Sequence, residues 1–157
     1  MLDKDGYRSN VGIILCNADN KVLWARRSKR DGWQFPQGGM QSKESPEQAM
    51  YRELKEEVGL DESHVKIIGR TRDWLRYDLP EYMLRSKSRS EFRGQKQIWF
   101  LLRFLGQESD IVLNGGDNPE FDSWRWSDYW SAADDIIAFK RKVYHLALSE
   151  LEPLLYK

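Results

Sequence analysis

Short apolar runs separated by polar turns predict a chain that mixes β-strands with helices. Residues 97–105 are apolar on both faces, which is typical of a central strand. Residues 17–20 are a polar turn and predict a hairpin between the two strands that flank it. Residues 65–77 predict one long strand or two. The segments predicted to be extended are 8–16, 21–27, 33–40, 65–77, 97–105 and 120–127.

Helical patterns occur in three places. The best specified helix begins after Ser45, a natural N-cap that is followed by Pro46 and, for a capping box, by Gln48. Gly59 suits its left-handed end. Residues 131–137 predict a short helical turn, and 139–155 predict a closing helix. Strands that alternate with two main helices predict an α/β fold, with a mixed sheet between helices, in one domain that spans 1–157.

The first helix carries three carboxylates on one arc, beside an apolar stripe that would hold it against the sheet. Glu53, Glu56 and Glu57 are spaced i, i+3 and i+4, so they repel one another on an isolated helix. Arg52 neutralises part of this charge, and Glu44 is its expected partner. The remaining negative charge and its oxygen donors favour Mg²⁺ or Mn²⁺. The apolar stripe consists of Met50, Leu54 and Val58.

A Glu-rich helix is by itself more often a solvated face, but the spacing of residues 38–60 favours function. They match the pattern G-x5-E-x7-R-E-U-x-E-E-x-G-U, where U is apolar, at all nine fixed positions. This pattern resembles the Nudix box of the Nudix hydrolase superfamily. The resemblance implies an α/β/α sandwich with a mixed β-sheet and metal-dependent hydrolysis of phosphoanhydride bonds. Four positions of the box are interpreted as structural: Gly38, Glu44, Arg52 and Gly59.

Composition limits the ligands that the whole surface can attract and the cellular compartment in which we expect the protein. The 25 basic and 25 acidic residues give a formal net charge of +0, so any surface for a polyanion must be a local patch. Cys16 is the only cysteine, which excludes a disulfide within the chain and predicts a buried thiol. The start of the sequence resembles no signal segment, and no apolar run approaches the roughly 20 residues that span a bilayer. We expect a cytoplasmic monomer that does not contact membranes.

Segments outside the box indicate a subfamily. They are residues 5–12, 33–39 (WQFPQGG), 74–80 (WLRYDLP), 94–100 (GQKQIWF) and 119–126 (PEFDSWRW). Together they resemble the bacterial RNA pyrophosphohydrolases, also described as (di)nucleoside polyphosphate hydrolases. The resemblance implies removal of pyrophosphate from 5′-triphosphate RNA ends, which leaves a 5′-monophosphate and promotes mRNA decay.

Five positions are candidates for the chemistry. Glu53, Glu56 and Glu57 are assigned as metal ligands, and either Glu53 or Glu57 would also take the proton from the attacking water. By resemblance, a backbone carbonyl near 37–38 adds a ligand. Glu120 is a candidate fourth carboxylate, the alternative being an ordinary glutamate at the start of a strand.

Substrate contacts are expected from cationic and aromatic side chains. Phe139 offers a ring on which a base can stack, although core packing explains it nearly as well. Residues 86–96, with Arg85, predict an exposed basic loop whose cations follow an RNA backbone, although a merely solvated loop explains them nearly as well. Arg27 would cover the other face of the stacked base. The expected phosphate contacts are Arg8, Arg27, Lys96 and Lys140, and Tyr77 and Gln95 are expected to line the same cleft.

Two alternatives to RNA hydrolysis remain at this point. Free dinucleoside polyphosphates, such as diadenosine tetra- or pentaphosphate, would use the same catalytic groups. A Nudix-fold binding module without catalysis would bind ligand and release no product, but such proteins usually lose box carboxylates, and all are present here.

Overall fold

The computed structural model describes residues 2–83, 92–113 and 118–157, which form a mixed sheet flanked by helices. The strands are β1 Tyr7–Cys16, β2 Val22–Arg27, β3 Trp33–Gln34, β4 Gln37–Gly39, β5 Val65–Arg70, β6 Leu75–Asp78, β7 Gly94–Phe104 and β8 Phe121–Ser127. The α-helices are α1 Pro46–Val58, α2 Ser131–Asp135 and α3 Ala138–Leu151. Short 3₁₀ turns cover Glu62–His64, Glu81–Met83, Glu108–Asp110 and Glu152–Tyr156.

The sheet has the strand order β3-β2-β1-β7-β5, and β4, β6 and β8 pair with β1, β7 and β2 respectively. Only the pairing of β1 with β7 is parallel among the described strands. The parallel register sets Arg8 beside Gln95. Two residues that are far apart in the sequence therefore meet at one end of the sheet.

Each face of the sheet has its own apolar core. Met50, Leu54 and Val58 of α1 pack on one face, as their helical spacing predicts. Tyr144 and Leu148 of α3 pack on the other. These two layers make the predicted α/β/α sandwich, which is confirmed.

The structure decides between one strand and two in residues 65–77. They form two strands, both paired with β7, and Thr71 between them accepts a hydrogen bond from the Trp99 amide at 3.0 Å. Residues 33–40 form two short strands on either side of Pro36, which has no amide proton to give to a ladder. The closing α-helix ends at Leu151 rather than 155, because Pro153 lacks the N–H that would continue it.

β7 begins at Gly94, three residues before the predicted start. Residues 94–96 are therefore strand and not part of the predicted basic loop. Residues 84–91, the rest of that loop apart from Phe92 and Arg93, lie outside the described ranges. The Cys16 thiol is buried, as predicted. Within the described ranges, none of the helices has the length and apolar character needed to cross a bilayer.

Candidate active site

The helix that carries the box carboxylates is fixed at both ends by local interactions. The Ser45 hydroxyl accepts a hydrogen bond from the Gln48 amide at 3.1 Å, and the Gln48 side chain accepts one from the Ser45 amide at 2.9 Å. Pro46 occupies the first turn, and Gly59 has the left-handed φ of 77° at the other end. The predicted capping box and glycine stop are confirmed, so α1 holds its carboxylates on a well-defined rod.

Arg52 connects this helix to the glycine loop before it. Its guanidinium donates to both Glu44 carboxylate oxygens, at 2.7 and 3.0 Å, as the sequence predicted. It also donates to the Gly39 carbonyl and to Glu53 Oε1, both at 2.8 Å. The pair with Glu44 is bidentate and only partly exposed, so it fixes the loop against α1.

Glu53 is buried against Gly38. A Cβ built on Gly38 would lie 2.0 Å from Glu53 Cδ and 2.2 Å from Oε2, so only glycine leaves room for this carboxylate. Burial raises the pKa of Glu53, while the Arg52 hydrogen bond opposes that rise. The absence of a side chain on the first glycine of the box therefore makes room for a carboxylate of the same motif.

Glu57 lies beside β4, where its Oε1 accepts a hydrogen bond from the Gln37 amide at 3.1 Å. The Gln37 side chain accepts in turn from Gln97 Nε2 at 3.3 Å, which connects this point to the central strand β7. Burial raises the pKa of Glu57 to about 9, and the negative charges of Glu53, Glu120 and Glu56 add to the effect. The structure thus brings four carboxylates within electrostatic reach of one another.

The donor chemistry of this cluster fits a divalent cation, because its excess negative charge comes from hard oxygen donors on a rigid helix. Use of such a metal is also what the resemblance of residues 38–60 to the Nudix box implies. Within the described ranges, no three Asp, Glu, His or Cys side chains are arranged to hold an ion. Glu53 is engaged by Arg52 and Glu57 by the Gln37 amide. We therefore expect both carboxylates to exchange these partners for an ion when one binds.

A cleft of about 450 Å³ adjoins the carboxylates. Of the residues predicted to contact substrate or metal, it is lined by Arg8, Arg27, Tyr77, Gln95, Glu120, Phe139 and Lys140. Gln37, whose amide binds Glu57, lines it too. The cleft therefore connects the box to the cationic and aromatic side chains. The placement of Arg8 and Gln95 follows from the parallel pairing of β1 with β7.

Four cations line the cleft together with Glu120: Arg8, Arg27, Arg30 and Lys140. Burial, together with the charges of Arg27 and Arg30, lowers the pKa of Lys140 to about 8, while the negative charge of Glu120 opposes the shift. Of the carboxylates in the described ranges, none lies within ion-pair distance of Arg8, Arg27, Arg30 or Lys140. A wall of unpaired cations of this kind suits an anionic ligand that has several phosphates.

Aromatic rings line the same cleft. Phe139 packs against the core and also faces Tyr77, with ring centroids 5.8 Å apart. Both interpretations of Phe139, core packing and a surface for a base, therefore fit its position. The Lys140 ammonium lies 5.9 Å from the Tyr77 ring centroid. The side-chain oxygen of Gln95 is buried without a hydrogen-bond partner among the described groups, so it is available to a ligand donor.

The structure does not bring Lys96 to this cleft. Successive residues of a strand point to opposite faces, so Lys96 lies on the face opposite Gln95. Its ammonium contacts Asp3 at 3.0 Å and lies 4.8 Å from the Trp74 ring centroid. Arg93, from the predicted basic loop, is paired with Asp78 at 3.0 Å. The described cations of this segment are therefore already neutralised by carboxylates.

Among the cleft residues that were not predicted, Arg30 and Phe92 are the ones whose side chains add charge or an aromatic ring. Arg30 lies in the run RRSKR, whose repeated cations were a signal that the sequence offered. Phe92 also lines the cleft, and the Arg8 guanidinium lies 4.4 Å from its ring centroid. No local pattern distinguishes Phe92, because its position depends on the start of β7.

The sequence matches the family described as "NUDIX domain" over residues 6–147. Among solved structures with the same fold is the Escherichia coli dihydroneopterin triphosphate pyrophosphohydrolase, with a TM-score of 0.69 and 22% identity over 92% of this chain and 98% of that one. A Caenorhabditis elegans Ap4A hydrolase gives 0.66 and 20%, over 94% and 98%. The NUDIX domain of Shewanella oneidensis NrtR, complexed with ADP ribose, gives 0.54 and 16%, over 92% and 88%.

These structures share the sandwich, and the family match covers nearly the whole chain. Hydrolysis of phosphoanhydride bonds is the activity that this match supports. The chain belongs to the Nudix family.

Proposed function

We propose that this protein, as a single domain over 1–157, is a metal-dependent RNA 5′ pyrophosphohydrolase. It converts 5′-triphosphate RNA ends to 5′-monophosphate ends and releases pyrophosphate. The observation that carries the proposal is the cleft itself. Its aromatic rings, and its cations without carboxylate partners among the described residues, lie in one cleft with Glu120 and with Gln37, whose amide binds Glu57. A 5′-triphosphate nucleotide has the matching parts, since it joins a chain of anionic phosphates to a flat base.

The box carboxylates provide the reactive end of the cleft. Glu53, Glu56, Glu57 and Glu120 are the residues that would hold Mg²⁺ or Mn²⁺. An ion held by these residues would supply charge neutralisation for the phosphate oxygens and a more acidic water for attack on phosphorus. Glu53 or Glu57 takes the proton of that water. Arg52, Glu44, Gly38 and Gly59 keep the helix and loop in place for this step.

The cationic wall orients the phosphates. Arg8, Arg27 and Lys140 line the cleft without carboxylate partners among the described residues, so their charges are available to phosphate oxygens. A base stacks on Phe139, and Arg27 covers its other face. Base stacking on an aromatic side chain contributes about 1–3 kcal/mol, enough to position the nucleotide next to the reacting phosphates.

Dinucleoside polyphosphates are the second candidate substrate. The rings of Phe92 and Phe139 both line the cleft, so two bases would each have an aromatic neighbour. The fold is also shared with an Ap4A hydrolase, although at 20% identity this likeness concerns the fold alone. The two activities use the same carboxylates and are compatible in one protein.

A direct comparison of substrates tests the proposal. The protein is mixed with Mg²⁺ and a short RNA whose 5′-triphosphate is labelled at the β and γ positions, and separately with diadenosine pentaphosphate. We expect labelled pyrophosphate from the RNA and a higher kcat/KM for RNA than for the dinucleotide. A preference for the dinucleotide would assign the second function. Ligand binding without product from either substrate would contradict both and favour a binding module.

A further inference from the structure

The loop between β2 and β3 carries cations beyond those that line the base of the cleft. Residues 26–32 read RRSKRDG, with four basic residues and one acidic residue. Lys29 and Arg30 are exposed at its tip, and we call these two side chains the basic shelf. With Arg27 and Glu120 they line a depression of about 240 Å³. Arg27, Arg30 and Glu120 also line the main cleft, so the depression is continuous with it.

Contacts within the described residues hold the loop in place. The Ser28 amide donates to the Glu120 carbonyl at 2.9 Å, and the Ser28 hydroxyl donates to the Pro119 carbonyl at 2.5 Å. The Arg27 amide donates to the Gly32 carbonyl at 3.0 Å. Gly32 has a φ of 107°, which favours glycine at that turn. The shelf is therefore presented from a backbone that needs little ordering when a ligand binds.

Among the residues that the structure describes, no carboxylate lies within ion-pair distance of Lys29 or Arg30. The neighbouring Arg26 is paired with Asp122 at 2.7 Å, whereas the Lys29 ammonium donates to the amide oxygen of Asn118. The positive charge of Arg30 also reaches Lys140 and helps to lower the pKa of that lysine. The shelf therefore extends the cationic wall outward from the cleft.

The size of the cleft limits how much of an RNA it encloses. Pockets of about 300–1,000 Å³ enclose a single small ligand, so a cleft of about 450 Å³ holds the reacting end and leaves the rest of a polymer outside. On the side of residues 92–96, the described cations Arg93 and Lys96 are paired with Asp78 and Asp3. On the side of the shelf, Lys29 and Arg30 have no carboxylate partner in the part of the chain that the structure describes, which favours that exit for a polyanion.

We propose that Lys29 and Arg30 form a subsite for the phosphodiester backbone of the RNA downstream of the nucleotides held in the cleft. This inference rests on the proposed function and adds a preference for length. The contacts are to phosphates, so the subsite discriminates between polymer and free nucleotide without reading the base sequence.

The test compares Lys29→Gln/Arg30→Gln with the wild type on 5′-triphosphate RNAs of two and eight nucleotides. The ratio of kcat/KM for the longer RNA to that for the shorter one is expected to fall about fivefold or more. For a single-stranded ligand, each phosphate contact that is lost reduces the steepness of the plot of log affinity against log salt concentration by about 0.7. The double variant removes two cations, so we expect the slope for the longer RNA to become less steep by about 1.4. The matched control is Lys66→Gln/Lys157→Gln, which removes the same charge from two exposed lysines that do not line the cleft.

A second readout separates this inference from the proposed function. The affinity of the same proteins for a fluorescent 5′-monophosphate eight-nucleotide RNA is measured by anisotropy. Weaker binding by the shelf variant, with no turnover of triphosphate RNA by the wild type, would uphold the subsite and refute the pyrophosphohydrolase. An unchanged length ratio and unchanged affinity, or an equal change in the control, would overturn the subsite whatever the activity of the wild type.

Discussion

The Glu53 carboxylate lies directly against Gly38, in the space that the Cβ of any other residue at position 38 would occupy. The nearest approach of a Cβ at that position would be 2.0 Å, far inside van der Waals contact. Gly39, the next residue, has no atom within 4 Å of such a Cβ. The two adjacent glycines of β4 therefore differ, because only Gly38 is required to leave room for a carboxylate of the box.

Gly38→Ala is expected to lower kcat by about 100-fold or more while the protein stays folded. The atoms that the new methyl group meets are the end of a flexible side chain, so Glu53 moves away and the backbone is spared. Steady-state kinetics and thermal unfolding measure the two effects. Gly39→Ala is the control and is expected to change kcat by less than about threefold. An equal loss of kcat in both variants would show that the backbone of this segment, rather than the room needed by Glu53, requires glycine.

Arg52→Lys is expected to reduce the free energy of unfolding by about 2 kcal/mol. Lysine cannot reproduce the bidentate contact with Glu44 together with the hydrogen bonds to Gly39 and Glu53. Urea unfolding followed by tryptophan fluorescence measures the change. Arg72→Lys, at an exposed arginine whose side chain has no ion pair among the described residues, should stay within about 0.5 kcal/mol of the wild type. A similar stability for both variants would contradict a structural role of Arg52.

Phe139→Ala is expected to lower kcat/KM for RNA by about tenfold or more, and by less for diadenosine pentaphosphate, if a base of the RNA stacks on this ring. Because Phe139 also packs against Tyr77, some loss of stability accompanies the change. Phe139→Leu keeps apolar bulk but removes the flat ring. If leucine restores RNA turnover, core packing and not stacking explains this position.

The positive charge of Lys140 is expected to impose a pH limit on substrate capture. Burial lowers its pKa to about 8, so the free enzyme loses this charge as the pH rises through 8. A pH profile of kcat/KM reports groups of the free enzyme. We expect the ratio of wild type to Lys140→Arg to fall between about pH 7 and 9, since arginine keeps its charge. A ratio that is flat with pH would contradict a contact between Lys140 and phosphate.

The lowered pKa of Lys140 affects stability in the direction opposite to its effect on substrate capture: stability rises with pH. The unfolded chain binds the Lys140 proton up to about pH 10.4, whereas the folded protein releases it near 8. Between these values the unfolded state holds more protons, so this group makes the folded protein more stable as the pH rises. Lys140→Met is expected to remove that contribution, as measured by urea unfolding at pH 7 and 10. An equal pH dependence in both proteins would contradict the burial of this lysine.

Features that depend on neighbouring residues could be predicted from the sequence. Ser45, Gln48 and Gly59 specify the ends of α1 by local hydrogen bonds and backbone conformation, and the structure agrees with each. The contact of Glu44 with Arg52 likewise follows from the spacing of the box. Each of these interactions joins residues within about ten positions of one another, so the chain has few alternative conformations that would satisfy the same side chains.

Features that depend on distant pairing could not be predicted in the same way. Lys96 is predicted from its charge to contact the phosphates, but neighbouring side chains of a strand point to opposite faces, and Lys96 lies on the face opposite Gln95. The predicted strand began at residue 97, so this alternation was not applied to Gln95 and Lys96, which belong to β7 in the structure. The same early start of β7 brings Phe92 to the cleft, and the pairing of Arg93 with Asp78 depends on β6 lying beside β7.

The most direct test of this account is the turnover of 5′-triphosphate RNA by Glu53→Gln in the presence of Mg²⁺. The change is nearly isosteric, so the fold is expected to remain, as checked by thermal unfolding and circular dichroism. Lys55→Gln, on the exposed side of α1, controls for a change of charge on the helix. We predict release of labelled pyrophosphate by the wild type and by Lys55→Gln, and almost none by Glu53→Gln. Turnover near that of the wild type by a folded Glu53→Gln protein would contradict the assignment of the box carboxylates as the catalytic centre.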